Sequence, residues 1–294
     1  MENLEKNSGV SKSNINWYPG HMAKTKRLIS ENINLIDIVY EVIDSRIPVS
    51  SKIIDIDELL KNKPKILIMT KYDLCDKSLT DKFIKKYEDN GYHVLKYDLN
   101  NTNNLNDLYS LTTDILKEKL ESLKSKGIEK RKIRALVVGI PNVGKSTLIN
   151  KMAKKNKVEV GNKPGVTKNI GWIKVNDDIE IMDSPGILWP KLEQDTVALN
   201  LAATSAIKEE ILPLVDVVIH IIKMLYKYYP DLLKEKYGVT NIDDFEEVFD
   251  TIGKKKNLLS RGGIVDDERV VNLIINDMKS GKISGITLDR YEDD

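Results

Sequence analysis

A phosphate-binding loop in the middle of the chain restricts the possible folds more than any other sequence feature. Residues 139–146 read Gly-Ile-Pro-Asn-Val-Gly-Lys-Ser, directly after the apolar run 133–138 and before a helical pattern. The motif needs this strand–loop–helix context, because its glycines let backbone N–H groups surround phosphate oxygens at the start of a helix. Lys145 is expected to reach the β- and γ-phosphate oxygens. The same segment supplies the other expected contacts, Asn142, Val143, Gly144, Ser146 and Thr147.

A second motif, upstream of the phosphate loop, indicates which base is bound. The segment Thr70-Lys71-Tyr72-Asp73 follows the apolar run 65–69. The Asp73 carboxylate can accept two hydrogen bonds from the Watson–Crick edge of guanine, which adenine cannot supply, and the stem of Lys71 can lie along the base. Taken alone, the segment could be an ordinary turn after a strand. Together with a phosphate loop it predicts selection of GTP over ATP.

Two segments after the phosphate loop carry the expected metal and γ-phosphate contacts. Thr167, in Gly-Val-Thr, is positioned to give Mg²⁺ a second hydroxyl beside that of Ser146, from a loop that closes only over a γ-phosphate. In Asp183-Ser-Pro-Gly186, the carboxylate would hold a water of the metal and the Gly186 N–H would meet the γ-phosphate. As a bare tetrapeptide this is a common turn, so the interpretation depends on its place after a predicted hairpin.

The order of the motifs is rotated. An ordinary GTP-binding domain begins with the phosphate loop and has the base reader late, whereas here the conventional motifs run G4-G5-G1-G2-G3. Apolar runs alternate with helical patterns, which predicts an α/β fold with a mostly parallel sheet and helices on both faces. We therefore predict a circularly permuted P-loop GTPase domain over residues 16–192, after a flexible extension over 1–15.

The rest of the chain reads as helical. A small all-α C-terminal domain is predicted over 193–288, with a late helix that Asp266 begins and Gly281 ends, followed by a disordered acidic tail over 289–294. Within the GTPase half, the spacing of apolar residues predicts one long helix from Asn104 to about Ser125.

Composition limits the class of protein further. The chain has 294 residues, a formal net charge of +1 and a single cysteine, Cys75, which excludes an internal disulfide framework and a multi-cysteine zinc site. No run approaches the ~20 apolar residues of a membrane span, and the N-terminus lacks a signal-peptide core. We expect a soluble cytoplasmic monomer with no DNA partner. A polyanion would meet basic patches, of which the best candidates are Lys24, Lys26, Arg27 and the run 124–134.

With these four elements in this order, the chain resembles the circularly permuted ribosome-assembly GTPases. It is similar in particular to the ribosome biogenesis GTPase A (YlqF) family through Trp17-Tyr-Pro-Gly-His-Met-Ala-Lys24, Asp44-Ser-Arg-Ile-Pro48 and Asp183-Ser-Pro-Gly-Ile-Leu-Trp-Pro190. The resemblance implies a GTPase that uses GTP, GDP and Mg²⁺ and binds a late precursor of the large (50S) ribosomal subunit. It also implies contacts with 23S rRNA and ribosomal proteins, rRNA binding by the C-terminal domain, and stimulation by the particle.

The chain departs from the family pattern near the base. Thr70 replaces an asparagine, and a threonine can still hold the loop with its hydroxyl. Asp98 and Leu99 replace an Asn-Ser pair, so the backbone of these two residues is expected to serve the base.

Water for hydrolysis must be oriented by an unusual group. The position just after Asp-x-x-Gly is Ile187, which has no hydrogen-bonding side chain. The resemblance suggests His21 instead, whose ordinary pKa near 6.5 suits water orientation at neutral pH, although a lone histidine can equally be structural. Asn142 matches relatives in which this amide helps to hold a K⁺ ion; the alternative is an asparagine that stabilises the loop.

Two other functions stay open. Ile187 could reflect negligible turnover, which would make the protein a nucleotide-gated module that binds RNA or protein. A permuted GTPase could also act on the small ribosomal subunit, but the relatives of that kind carry zinc-binding cysteines, which this chain lacks.

Overall fold

A parallel sheet forms the centre of the computed structural model, which describes residues 20–53, 56–60, 63–102, 104–128, 131–153, 172–183, 195–207 and 212–291. The strands in these ranges are β1 Ile38–Asp44, β2 Lys65–Thr70, β3 His93–Tyr97, β4 Ile133–Val138, β5 Trp172–Lys174 and β6 Ile179–Asp183. Their order across the sheet is β3-β2-β1-β4-β6-β5. Among the strand pairs of this sheet in the described residues, four are parallel and the edge pair β5–β6 is antiparallel, so the prediction of a mostly parallel sheet is confirmed.

Helices surround this sheet and continue beyond it. Those in the GTPase half are α1 Gly20–Asn32, α2 Ile56–Leu60, α3 Lys77–Asp89, α4 Asn106–Ile115, α5 Lys117–Ser125 and α6 Lys145–Ala153. After them come α7 Asp195–Ala203, α8 Leu214–Tyr228, α9 Pro230–Tyr237, α10 Phe245–Lys255 and α11 Asp267–Lys279. In the described part, no helix combines the length and apolar character that crossing a bilayer requires.

Both faces of the sheet are covered. All seven residues of β1 are buried, as expected for a strand with helices on both sides. On one face Ile43, Leu67 and Met69 pack with Ile84 of α3. On the other, the Tyr40 hydroxyl lies 2.8 Å from the hydroxyl of Thr112 in α4.

Two helix predictions have different outcomes. The single helix predicted over 104–125 is wrong, because the backbone turns at Leu116 (φ −96°, ψ 4°) and divides it into α4 and α5. The boundaries of α11 are confirmed. Asp266 accepts a hydrogen bond from the backbone N–H of Arg269 at 3.1 Å, and Gly281 follows the helix end in the left-handed conformation, with φ 75°.

The C-terminal segment packs against the GTPase half, which corrects the prediction of a disordered tail from residue 289. Asp289 is 7% exposed. Its carboxylate accepts hydrogen bonds from the backbone N–H groups of Val49 at 2.7 Å and Ser50 at 2.8 Å, and from Nδ2 of Asn200 in α7 at 2.9 Å. A carboxylate with this many donors is stable in a buried site, so residues 289–291 belong to the fold; residues 292–294 lie outside the described ranges.

His220 of α8 extends this polar network. Asn200 donates through Nδ2 to Asp289, so its Oδ1 is the acceptor that faces His220 Nε2 at 2.8 Å. His220 Nε2 therefore carries a hydrogen. Burial is the main cause that lowers the pKa of His220 to about 4, and the charge of Lys223 acts in the same direction.

The lowered pKa of His220 should affect the pH dependence of the free energy of unfolding. Its pKa in the folded protein lies below the unfolded value of about 6.5, so the unfolded chain gains a proton first as the pH falls from 6.5 towards 4. Over this interval we expect the free energy of unfolding to lose up to about 3 kcal/mol more in the wild type than in His220→Gln, whose amide can still donate to Asn200. Urea unfolding of both proteins at pH 7.5 and pH 4.5 measures the difference, and parallel losses would contradict it.

Candidate nucleotide site

The topology of the sheet creates a crevice beside β1 and β4. From β1 the chain moves outward through β2 to β3, and from β4 it continues on the opposite side to β6. Ligands of such sheets bind outside the carboxyl ends of the strands where the direction reverses. The loops after β1, β2, β3 and β4 all end at this edge, and they contain the predicted base-reading and phosphate-binding segments.

The phosphate loop has the backbone that its sequence predicts. A Cβ atom on Gly139 would lie 2.5 Å from the carbonyl oxygen of Val42 in β1, so a larger residue cannot occupy this position without displacing the strand. Lys145, 8% exposed, donates from Nζ to the carbonyl of Ile140 at 2.8 Å. Ser146 and Thr147 lie half-buried in the first turn of α6.

Thr70 joins the base-reading loop to the phosphate loop. Its Oγ1 lies 3.0 Å from the carbonyl oxygen of Ile43 and is also hydrogen-bonded to the carbonyl of Val143. A hydroxyl has one hydrogen to donate, so the two carbonyls share it. The side chain of Thr70 also lies against Gly144, since a Cβ there would be 3.5 Å from Thr70 Cγ2. Thr70 therefore connects the loops with a hydroxyl.

Lys71 makes the second connection. Its Nζ donates to the carbonyl of Asn142 in the phosphate loop and to Asp44 Oδ2, both at 2.8 Å. The backbone of Lys71 is left-handed, with φ 56°. The ammonium group is thus held between the end of β1 and the phosphate loop.

Asp73 is exposed at the same edge. Burial is the main cause that raises the pKa of its carboxyl above the ordinary value, and the charge of Asp98 adds to the increase. Asp98 itself closes a turn, because Oδ1 accepts from the N–H of Asn100 at 2.9 Å and Oδ2 from Asn101 Nδ2 at 2.6 Å. Burial acts to raise the pKa of Asp98, but these hydrogen bonds outweigh it and the pKa is lowered. Leu99 is buried beside Gly144.

Asn142 connects the phosphate loop to the C-terminal helices. Its Nδ2 donates to the carbonyl of Ser205, just after α7, at 2.6 Å, and its backbone is left-handed with φ 61°. This contact fits the loop-stabilising role that the sequence left open. The K⁺ role stays a prediction.

Two predicted site residues, Thr167 and Gly186, lie outside the described ranges. His21 belongs to α1 and Asp183 ends β6. Asp183 pairs with Val137 of β4, so the end of β6 adjoins the strand that leads into the phosphate loop. A carboxylate and the Ser146 hydroxyl are hard oxygen ligands, which fit Mg²⁺.

Sequence reasoning assigned no role to Asp44 and Arg46, which the structure places at the site. Both are almost completely buried, and Arg46 Nη2 lies 2.8 Å from Asp44 Oδ2. Burial acts to raise the pKa of Asp44, but the charges of Arg46 and Lys71 outweigh it and hold the pKa far below its usual range. Two opposite charges two residues apart at the end of a mostly apolar strand were the available signal, since buried charges are rare unless they are paired.

Comparisons with known proteins agree with this geometry. A sequence profile of the family described as 50S ribosome-binding GTPase matches residues 134–260. A ribosome biogenesis GTPase A from Bacillus licheniformis is 44% identical over 280 residues, which covers 95% of this chain and 99% of that protein. The one from Thermotoga maritima is 29% identical over 279 residues, 95% of each chain.

A solved structure has the same fold. The crystal structure of GNP-bound YlqF from T. maritima superposes with a TM-score of 0.63 at 25% identity, covering 92% of this chain and 99% of that one.

Base reader, phosphate loop and sheet order together define a P-loop GTPase whose chain is circularly permuted. Sequence identity with its relatives identifies the family: the chain belongs to the ribosome biogenesis GTPase A family.

The Thr70 bridge should affect nucleotide affinity. Thr70→Val keeps the shape of the side chain but removes the hydroxyl that bonds the carbonyl of Val143, which costs about 1–3 kcal/mol for a buried acceptor. We expect the Kd for GDP, measured by calorimetry, to rise roughly tenfold. Thr70→Ser restores the hydroxyl and should bind GDP almost as tightly as the wild type. Equal affinities for the Val and Ser variants would show that the bridge is unimportant.

Proposed function

We propose that the protein binds a late precursor of the large (50S) ribosomal subunit, promotes its assembly, and leaves the particle after hydrolysing GTP to GDP. The observation that carries the proposal is the 44% identity, over 95% of the chain, with a ribosome biogenesis GTPase A. Contact between the base-reading and phosphate loops supports the nucleotide half of the proposal. The partner particle would place the activity in the cytoplasm.

In the proposed site, each part of the nucleotide meets a different loop. The Asp73 carboxylate accepts hydrogen bonds from guanine, while the Lys71 stem lies along the base. Tyr72 and the backbone of Asp98 and Leu99 complete the base pocket. The phosphates lie against the N–H groups of residues 142–147 at the start of α6, where the helix dipole favours negative charge.

Lys145 and a metal site neutralise the charge of the transferred phosphate. Ser146, Thr167 and, through water, Asp183 would hold a Mg²⁺ ion, which would supply positive charge at the transferred phosphate. Gly186 senses the γ-phosphate through its N–H. A K⁺ ion would bind Asn142 through Oδ1, because Nδ2 donates to the carbonyl of Ser205 at 2.6 Å.

The γ-phosphate sensor is tied covalently to the helical C-terminal region. The chain runs from β6 through residues 184–194 into α7, which packs against α8. In the proposed cycle, GTP changes the arrangement of this region and thereby the affinity for the particle, because a switch needs a ligand that binds two states unequally.

Ribosomal RNA would contact exposed basic residues. Within the run 124–134, Arg131 donates to Asp37 at 3.0 Å and Arg134 donates to Glu180 at 2.6 Å. These two arginines therefore stabilise the start of β1 and the β4–β6 pair. The exposed lysines Lys124 and Lys126 are the better candidates for phosphate contacts.

Turnover with purified particles tests the function. We expect large-subunit precursors to raise the rate of GTP hydrolysis at least about tenfold, equivalent to about 1.4 kcal/mol of transition-state stabilisation, and small subunits to leave it unchanged. Lys145→Met serves as the inactive control. Stimulation by small subunits would favour the small-subunit alternative, and nucleotide-dependent binding without turnover would favour the binding module.

His21 is the proposed residue that orients the attacking water on the particle. His21→Ala should reduce particle-stimulated turnover by about 10²-fold or more, with the Kd for GDP unchanged. The matched control is His93→Ala, because His93 lies exposed on β3. If His21→Ala and His93→Ala hydrolyse GTP at the same stimulated rate, His21 has no part in catalysis.

A further inference from the structure

The buried pair Asp44–Arg46 lies at the end of β1, at the carboxyl edge of the sheet. Arg46 is 1% exposed. Its Nε donates to Asp44 Oδ1 at 3.0 Å and its Nη2 to Oδ2 at 2.8 Å. Two parallel bonds of this kind fix the orientation of both groups. A guanidinium so deeply buried is stable only while its donors stay paired.

On one side, the pair holds the base-reading loop. Asp44 Oδ2 also accepts from Lys71 Nζ at 2.8 Å, and the same Nζ donates to the carbonyl of Asn142. Any rotation of the Arg46 guanidinium would move the carboxylate to which Lys71 is bound. The position of the Lys71 stem, the proposed support of the guanine ring, therefore depends on Arg46.

On the other side, Arg46 holds the C-terminal region. Its Nη1 donates to the carbonyl of Met278 in the last turns of α11 at 2.9 Å. Its own carbonyl accepts from the N–H of Leu288 at 2.8 Å. One residue thus contacts the base loop through Asp44, the helix α11, and the C-terminal segment over 283–291.

The C-terminal segment also contacts the base loop directly. The N–H of Gly285 donates at 2.8 Å to the carbonyl of Leu74, the residue after Asp73. A Cβ on Gly281 would lie 2.8 Å from Leu74 Cδ2, so the end of α11 packs closely against the same residue. Residues 70–74 therefore lie between the phosphate loop and the C-terminal segment.

We propose that Arg46 is a positioning residue for guanine recognition, which links binding of the base to docking of residues 283–291 through Asp44 and Lys71. The link rests on the proposed base site at residues 70–73. It requires the guanine moiety and no γ-phosphate, so GDP engages it as well as GTP. Since linkage is reciprocal, docking of the C-terminal segment strengthens guanine nucleotide binding by the factor by which the nucleotide strengthens docking, so loss of docking weakens nucleotide binding.

Hydrogen–deuterium exchange of the full chain measures the link. Saturating GDP should slow exchange of the N–H groups of Gly285, Ile286 and Leu288, which donate to Leu74 and Arg46, by about fivefold or more. In Lys71→Met the aliphatic stem remains, so the variant can be saturated with GDP, but the contact with Asp44 is lost. GDP should then no longer slow exchange in this segment. The matched control Lys174→Met, which removes the exposed partner of Asp177 at the β5–β6 turn, should keep the full effect.

A second variant tests the reciprocal direction without changing the base loop. Asp289→Asn keeps the shape of the side chain but removes the charge that binds Val49, Ser50 and Asn200. We expect its Kd for GDP to rise severalfold, and to rise no further when Lys71→Met is already present.

The outcomes distinguish a failure of the proposed link through Arg46 from a failure of the proposed base site. Equal protection by GDP in the wild type and Lys71→Met, or GDP binding by the wild type without protection of 283–291, would overturn the link while the base site stands. An unchanged Kd in Asp289→Asn would also overturn it. Failure of the wild type to bind GDP would overturn the base site and the link together.

Discussion

Hydrogen bonds from the base-reading loop to carbonyl groups of the phosphate loop hold the two parts of the site together. Thr70 and Val143 are 73 residues apart in sequence, yet the hydroxyl of one meets the carbonyl of the other. A loop that turns its N–H groups towards phosphates must turn carbonyl groups elsewhere, and buried carbonyls need donors. Thr70 and Lys71 supply these donors at Val143 and Asn142. The two loops are therefore one mechanical unit, and a change in the conformation of either loop alters the contacts of the other.

The permuted order of the motifs adds the C-terminal region as a third component to the two connected loops. Because the phosphate-loop strand comes after the base-reading strands, the chain leaves the sheet at β6 and enters α7–α11 instead of returning to the base site. It nevertheless comes back through residues 283–291, whose Asp289 accepts hydrogen bonds from Val49 and Ser50. A single hydrophobic core runs through both halves, from Ile29 to Leu288. The C-terminal region thus contributes to the stability of the nucleotide site as well as to any binding surface of its own.

Local sequence predicted most of the fold and the segments that form the candidate site, because phosphate loops, strand patterns and helix caps are set by neighbouring residues. The α11 cap at Asp266 and the strand patterns that predicted a mostly parallel sheet are of this kind. The roles of Arg46 and Asp289 depend on partners more than two hundred residues away, Met278 for the first and Ser50 for the second. The acidic residues at the C-terminus predicted a solvent-exposed tail. The apolar residues just before them, Ile283, Ile286 and Leu288, are all buried and were not recognised as part of the core. Their spacing directly before Asp289 was the available sign of a packed segment.

Strained backbone is concentrated where the three components meet. Among the described residues, four that are not glycine have left-handed backbones, Lys71, Asn142, Ser205 and Asn257. The first three are joined in series, since Lys71 Nζ donates to the carbonyl of Asn142 and Asn142 Nδ2 donates to the carbonyl of Ser205. Each such conformation costs on the order of 1 kcal/mol and persists only where its surroundings enforce it. The base loop, the phosphate loop and the end of α7 therefore hold one another in conformations that none would keep alone, and a ligand that alters one contact in the series acts on all three.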